Sequence, residues 1–322
     1  MILLLEPLTA VDQVCTIDEQ TFQYYLHWST SKHTGGPTVV AENLLKELRL
    51  RNDLAWTLVT PETKFERNYS VMWVVNGLLD LVWAIQNKEI LGISQLWAGP
   101  NLVVVPQEAQ GTIGHSQIDK VVVPCRWVAE VYSALMPSIS NKIVIWPVGI
   151  DVEAWTPDPA KEKRHIVVYD KRNTGLADEL TTGLCSSGEL VSRVTYGKYS
   201  RSHYKELLDH AKAIIWLSAT ESQGIALLEA LAMNVPALCL KNSTWNYHSA
   251  ELQTDYQYEG ATAAPYFSDQ CGLLFSNAQD FLQQQYPVFC KMRNYFTPRK
   301  YLFANNLIVG KSLSSLIEGI KS

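Results

Sequence analysis

An apolar stretch of ten residues, 224–233, carries one charged side chain, Glu229, and this feature constrains the fold more than any other. A helix that is apolar on every side is normally buried in a core, and a glutamate is rarely buried without a polar partner. Two short runs of apolar, β-branched and aromatic residues, 213–218 and 235–240, flank the stretch and predict buried strands. We therefore predict a βαβ unit in which Glu229 has a polar partner.

A second carboxylate, Glu221, stands eight residues before Glu229, between the first strand of this unit and the start of the helix. Ligands of open α/β sheets bind beyond the carboxyl ends of strands, where a helix N-terminus offers free N–H groups to an anion. If the stretch is helical throughout, eight residues rise by ~12 Å, which suits contacts to opposite ends of a nucleotide sugar. The alternative is structural, with Glu221 stabilised by the helix dipole and Glu229 on a less buried surface. Asn234 is predicted to end the helix in the left-handed conformation.

Strand-like and helical runs alternate along the whole chain, which predicts an α/β fold with parallel, helix-covered sheets. The predicted strands are 24–27, 56–59, 72–75, 102–105, 120–123, 165–169, 190–196, 213–217 and 235–240. We predict an N-terminal domain over 1–150, a linker over 151–164 and a C-terminal domain over 165–304. A final helix over 305–322 could pack back on the N-terminal domain.

Composition narrows the class of ligand. The net charge of −5 argues against nucleic-acid binding and favours small molecules. The six cysteines show no zinc spacing and no Asp-x-Asp pair occurs, so we expect no metal site and a reducing, cytoplasmic setting. No segment is predicted to span a membrane. The basic residues of 44–51 could form a peripheral membrane contact, but a helix that faces the core is the favoured interpretation.

Two further clusters are candidate ligand contacts. Gly35 and Gly36 precede a predicted helix over 38–50, and glycine there lets the backbone approach a ligand closely. A plain strand-to-helix turn is the alternative. Lys171 and Arg172 follow the predicted strand 165–169, where two cations could neutralise a diphosphate without a metal. A solvated basic turn is the alternative there.

Together these segments resemble the GT-B glycosyltransferases of the family-4 type, which transfer a sugar from a nucleotide donor with retention of configuration. The strongest element is 221–236, which looks like the family's E-x7-E signature with its following helix and proline. Residues 146–151 are similar to the family's interdomain crossing, and 119–128 to the strand and turn before it. Gly35 and Gly36 occupy the place of the family's N-terminal glycine loop and would bind the donor. The resemblance implies two Rossmann-like domains that face each other across a cleft.

The resemblance also implies roles for the signature residues. Glu221 would be the catalytic residue that contacts the donor sugar, and Glu229 would bind the ribose hydroxyls. The backbone at Gly224 and Ile225 would face the diphosphate, so that positive charge and a helix N-terminus stabilise the departing nucleoside diphosphate. No cofactor is implied, because a nucleotide sugar such as a UDP- or GDP-sugar is the substrate. The acceptor would be a glycan, a lipid or a protein.

The phosphate loop departs from the family pattern. Lys171, with Arg172, looks like the family's cationic element, but the family usually has an arginine and then a lysine several residues later, whereas these two are adjacent. Asn234 also replaces the family's usual glycine, which its tolerance of the left-handed conformation allows. The altered loop favours an alternative that we keep open, a non-catalytic nucleotide-sugar-binding protein with the same scaffold.

Overall fold

The chain folds as two compact α/β units in the computed structural model, which describes residues 2–5, 36–59 and 70–321. Unit 1 comprises Met1–Pro147, Ser249–Thr254 and Leu313–Ser322, and unit 2 comprises Val148–His248 and Asp255–Ser312. Within the described ranges, no helix combines the length and the apolar character that crossing a membrane requires.

Unit 1 is built on a parallel sheet. Its strands are β1 (Ile2–Leu5), β2 (Trp56–Val59), β3 (Val71–Asn76), β4 (Gln95–Asn101), β5 (Lys120–Val123) and β6 (Ile143–Ile145). Its first helices are α1 (Gly36–Arg49), α2 (Leu78–Asn87) and α3 (Arg126–Leu135), with 3-10 turns at Ala109–Gly114 and Pro137–Lys142. Among the described residues the strand order is β2-β1-β3-β4-β5-β6, and each neighbouring pair is parallel.

The predicted strand 102–105 is wrong, because the strand of this region is β4, which ends just before it. Gly99 and Pro100 lie inside β4, and these residue types normally argue against a strand interior. Leu102 and Val105 are apolar because they are buried in the loop beyond β4, not because they pair in the sheet. Burial without strand pairing therefore produced a strand-like sequence pattern here.

Helix α1 faces the core of unit 1. Leu44 and Leu48 are fully buried, and the buried carboxylate of Glu47 accepts a hydrogen bond of 2.9 Å from the backbone N–H of Leu313. The core-facing interpretation of this helix is thus confirmed. The predicted strand 24–27 lies outside the described residues, whereas β1, to which the sequence assigned no role, pairs with both β2 and β3.

Unit 2 is built on a second parallel sheet. Its strands are β7 (His165–Lys171), β8 (Leu190–Thr195), β9 (Ala211–Ser218), β10 (Ala237–Leu240) and β13 (Gly272–Phe275), while β11 (Thr244–Ser249) and β12 (Thr254–Glu259) form a separate two-stranded sheet. Its helices are α4 (Thr174–Ser186), α5 (Arg201–Asp209), α6 (Ile225–Ala232), α7 (Tyr286–Met292) and α8 (Pro298–Ala304), with shorter helical segments at Ala278–Asp280, Phe281–Gln285 and Arg293–Tyr295. The order of the described strands is β13-β10-β9-β7-β8, and each pair is parallel.

Both faces of the unit 2 sheet are buried. In β7, Val167 and Tyr169 pack into a cluster on one face, and Ile166 and Val168 pack into a cluster on the other. Because parallel strands are covered by helices on both faces, they appear in the sequence as continuous apolar runs. The predicted strands 165–169, 213–217 and 235–240 were recognisable for that reason.

The structure differs from the predicted C-terminal helix over 305–322. Helix α8 ends before it, α9 (Ser314–Lys321) begins within it and belongs to unit 1, and residues 305–313 are not helical. Asn306 and Gly310 have positive φ angles of 55° and 93°, which a helix does not accommodate. Ile308 forms a parallel bridge with Ile150 instead, so tertiary pairing has replaced the local helical pattern.

Candidate functional site

The candidate site lies where the strand order of the unit 2 sheet reverses. The chain passes from β7 to β8 on one side and then returns to β9 on the other side of β7. Lys171, the last residue of β7, is paired in register with Ser218, the last residue of β9. Ligands of open α/β sheets bind outside the carboxyl ends of the strands at such a switch point.

Lys171 and Glu221 form an ion pair at this point. Lys171 Nζ donates to both carboxylate oxygens of Glu221, at 2.7 and 2.9 Å, and the hydroxyl of Ser218 donates to Glu221 Oε1 at 2.7 Å. Lys171 Nζ also lies 4.6 Å from the ring centre of Tyr196, and the backbone N–H of Glu221 donates to the carbonyl of Thr262 at 2.9 Å. The Lys171 and Glu221 side chains are 22% and 11% exposed, so a ligand in solvent has access to the pair.

The two adjacent cations occupy different environments. Arg172 is exposed and has a left-handed φ angle of 66°, whereas Lys171 contacts Glu221. The loop is fixed by Asp170, which is buried and accepts a hydrogen bond of 2.6 Å from Arg193 and one of 2.9 Å from the backbone N–H at the N-cap of α4. Of the two predicted cations, the structure brings Lys171 to the signature motif, and it places Arg172 on the surface beside it.

Helix α6 begins at the switch point without a side-chain cap. Its N-cap residue, Gly224, has φ 72° and ψ 48°, a left-handed conformation that glycine adopts without strain, and within the described residues no side chain caps this end. The preceding residue, Gln223, is buried and pairs with the backbone of Val148 through both amide atoms, at 2.8 and 3.3 Å. The first N–H groups of a helix, which begin here at Ile225, lack intrahelical acceptors and carry a positive dipole end. This end of α6 is suited to an anion.

The C-terminus of α6 confirms the prediction for Asn234. This residue has a φ angle of 54° and follows the C-cap residue of the helix. The N–H of Asn234 donates to the carbonyl of Leu231 at 3.0 Å, and the N–H of Val235 donates to that of Ala230 at 3.1 Å. These are the two bonds of a Schellman motif, in which glycine or asparagine is favoured.

Glu229 lies inside α6 with only 3% of its surface exposed. Arg201, the first residue of α5, donates from Nη2 to Glu229 Oε1 at 2.5 Å, so the predicted polar partner is confirmed. Burial raises the pKa of Glu229 to about 7, although the charge and the hydrogen bond of Arg201 act to lower it. At neutral pH this carboxyl group is therefore close to its midpoint of ionisation.

The predicted glycine loop is described only in part. Gly36 is the exposed first residue of α1 in unit 1, and Gly35 lies outside the described residues. The contact of Gly35 and Gly36 with a donor stays a prediction.

Sequence reasoning missed several residues of this site. Ser218 and Tyr196 lie at the carboxyl edge of the sheet, where position alone could have suggested them. Arg201 is 28 residues from Glu229 in the sequence, and Thr262 contributes only its backbone carbonyl. Neither contact follows a spacing rule, because both depend on how distant segments pack.

Comparison of sequences identifies no relatives, since no protein-family model matches the chain and no curated protein matches it. Comparison of structures does find similar folds. Sucrose-phosphate synthase from Thermosynechococcus elongatus has a TM-score of 0.59 at 12% identity, over 99% of this chain and 98% of that one. TarM has a TM-score of 0.52 at 12% identity, and the match covers 79% of this chain and 55% of TarM. The pneumococcal O-GlcNAc transferase GtfA, solved with UDP and GlcNAc, has a TM-score of 0.51 at 12% identity. That match covers 78% of this chain and 56% of GtfA.

These similarities define the fold. The chain is an α/β protein with two Rossmann-like units, as in the GT-B fold of the similar structures, and the predicted α/β fold class is confirmed. The chain spans little more than half the length of TarM and GtfA. At this level of identity, structural similarity shows the fold alone. Function depends on the particular side chains of a site, which differ between proteins that share a fold.

Proposed function

We propose that this protein is a glycosyltransferase that transfers a sugar from a nucleoside-diphosphate donor to an acceptor, with retention of configuration and without a metal ion. The observation that supports this most is the Lys171–Glu221 ion pair at the switch point of unit 2, next to the uncapped N-terminus of α6. The pneumococcal transferase with a similar fold was solved with UDP and GlcNAc, which agrees with this substrate class.

The diphosphate of the donor would bind between the lysine and the helix. Lys171 supplies one full positive charge, the exposed Arg172 beside it supplies a second, and the backbone at Gly224 and Ile225 supplies N–H donors. Lys171 ends β7 and the start of α6 follows β9, both at the carboxyl edge of the unit 2 sheet, which supports their joint stabilisation of charge that develops on the phosphate. Preorganised donors of this kind are usually the largest electrostatic contribution to catalysis.

Glu221 would hold the sugar. A carboxylate only accepts hydrogen bonds, and its two oxygens match a pair of sugar hydroxyls. When the bond between C1 and the β-phosphate oxygen breaks, its electron pair leaves with the nucleoside diphosphate. The acceptor oxygen forms the new bond to C1, and the proton of that hydroxyl is released with the diphosphate. We assign no protein nucleophile to this reaction.

A turnover assay tests the proposal. The protein is incubated with a panel of UDP-, GDP- and ADP-sugars and with glycan, lipid and peptide acceptors, with and without a chelator, and release of the nucleoside diphosphate is followed. We expect turnover with one donor, unchanged by the chelator, and a product whose anomeric configuration matches that of the donor. Loss of turnover on chelation contradicts the metal-free mechanism, and an inverted product contradicts retention.

Glu221→Gln tests the placement of the sugar. We expect turnover to fall at least tenfold, because a hydrogen bond to a charged group contributes about 1.5–3 kcal/mol. Glu179→Gln is the matched control, since Glu179 is an exposed glutamate on α4 of the same unit and should leave turnover unchanged. Wild-type turnover in Glu221→Gln would refute the role of Glu221.

A non-catalytic nucleotide-sugar-binding protein is the second candidate. The observation that favours it concerns the two predicted cations. Lys171 contacts Glu221 but Arg172 lies on the surface, so fewer charges would converge on the diphosphate than the predicted pair suggested. This candidate predicts nucleotide-sugar binding with neither transfer nor hydrolysis in the same assay.

A further inference from the structure

Arg201 has no role in the proposed reaction, yet its side chain contacts Glu229, which the resemblance assigns to the donor site. Its Nη2 donates to Glu229 Oε1 at 2.5 Å, and its guanidinium lies 5.4 Å from the ring centre of Trp155. We infer that Arg201 is a positioning residue that holds Glu229 as an ionised, oriented carboxylate and thereby makes the donor site selective for ribonucleotides. This inference rests on the proposed function, together with the expectation from the family resemblance that Glu229 binds the ribose hydroxyls of the donor.

Stability alone does not explain the Arg201–Glu229 pair. Glu229 is 3% exposed within a helix whose other buried residues are leucine and alanine. Replacing a buried ion pair with apolar residues of similar volume is often neutral or stabilising. Apolar residues at both 201 and 229 would therefore suit the fold about as well. The carboxylate at this position is better explained by a ligand that needs it.

Arg201 lies over a buried tryptophan. Trp155 is buried, its carbonyl accepts a hydrogen bond of 2.8 Å from Nη1 of Arg299, and its ring packs edge-on against Tyr204 at 5.9 Å. The Arg201 side chain is 45% exposed, so it borders solvent as well as Glu229. Because a guanidinium is planar, contacts with a carboxylate and with an aromatic ring restrict its orientation.

The second oxygen of Glu229 is the atom that we assign to the ligand. Hydrogen bonds from the described residues engage Oε1 alone. Among residues 36–59 and 70–321, the titratable groups that interact with this carboxyl are Arg201 and Tyr204 of α5 and Tyr199 from the loop before α5. Of these three, Arg201 favours the charged form. An ionised carboxylate only accepts hydrogen bonds, as two neighbouring ribose hydroxyls require, whereas a protonated carboxyl uses one oxygen as a donor.

Nucleotide binding to variants tests the inference. Calorimetry at pH 8 compares UDP, GDP and ADP with their 2′-deoxy counterparts and with inorganic pyrophosphate. We expect the wild type to prefer its ribonucleotide by about 10- to 100-fold, the range expected for hydrogen bonds to a charged group. Arg201→Met and Glu229→Gln should both lose most of this preference without a change in pyrophosphate affinity, and Arg201→Lys should restore part of it. Arg164→Met is the control, because Arg164 is exposed and precedes β7 at the amino edge of the sheet.

The outcomes separate the inference from the proposed function. If the wild type prefers the ribonucleotide and Arg201→Met keeps that preference, the role of Arg201 is wrong while the donor site stands. If no nucleoside diphosphate binds the wild type, both are wrong. If Arg201→Met does not fold, the test passes to Glu229→Gln and Arg201→Lys. A full ribonucleotide preference in Glu229→Gln then overturns the inference, since Arg201 is proposed to act through Glu229.

Discussion

Replacing Glu229 with glutamine should change how stability depends on pH. Burial raises the pKa of this carboxyl to about 7, from an ordinary value of 4.5. Since the folded-state pKa is the higher one, the folded protein holds the proton more tightly than the unfolded chain. The stability that this adds is fully present below about pH 4.5 and is lost as the pH rises through about 7. At about 1.4 kcal/mol per pKa unit, the loss amounts to about 3.5 kcal/mol of unfolding free energy.

Urea unfolding followed by tryptophan fluorescence measures this effect. The unfolding free energy of the wild type minus that of Glu229→Gln should fall by about 3.5 kcal/mol as the pH is raised from about 4.5 to above 7, and it should then level off. Glu179→Gln controls for the loss of a carboxylate, because that exposed side chain is solvated in both states. A difference that is constant over this range, or that grows with pH, would refute the argument that burial controls Glu229.

Three further substitutions test the scaffold around the site. Gly149→Ala should destabilise the protein by about 1–3 kcal/mol in thermal unfolding, because a Cβ there would lie 2.4 Å from the backbone of Ile308; an unchanged midpoint would contradict this packing. Asn234→Val should cost about 1–2 kcal/mol, because a β-branched residue strains the left-handed end of α6, whereas Asn234→Gly should cost little. Asp170→Ala should cost about 1–3 kcal/mol and weaken nucleotide binding in calorimetry, because Arg193 and the loop before α4 lose an acceptor; equal affinity would show that this loop does not shape the site.

The βαβ unit around Glu229 could be predicted from sequence because its signals are local. An apolar run between two strand-like runs fixed α6, β9 and β10, and the tolerance of asparagine for positive φ predicted the end of the helix at Asn234. The need of a buried carboxylate for a partner was also predictable. The identity of that partner was not, because Arg201 approaches Glu229 only through the packing of α5 on α6.

Local signals failed where tertiary structure overrides them. Strand β4 contains Gly99 and Pro100, which disfavour strands in isolation, yet it pairs with β3 and β5 in the interior of the unit 1 sheet. Residues 305–313 were predicted to be helical, but they are not, and Ile308 bridges to Ile150 instead. The contact between Lys171 and Glu221 could be predicted only in part. Both residues were recognisable at strand ends, and only the register of β7 with β9 shows that they meet.

The most direct test of the donor site is the binding of nucleoside diphosphates to Lys171→Met. Calorimetry with UDP, GDP and ADP should show that one of them binds the wild type and that Lys171→Met weakens this binding at least about tenfold, which corresponds to about 1.4 kcal/mol. Lys161→Met is the control, because Lys161 is an exposed lysine of the same unit, away from the switch point, and its affinity should equal that of the wild type. Failure of all three nucleotides to bind, or equal binding to Lys171→Met and wild type, would contradict a donor site at the Lys171–Glu221 pair.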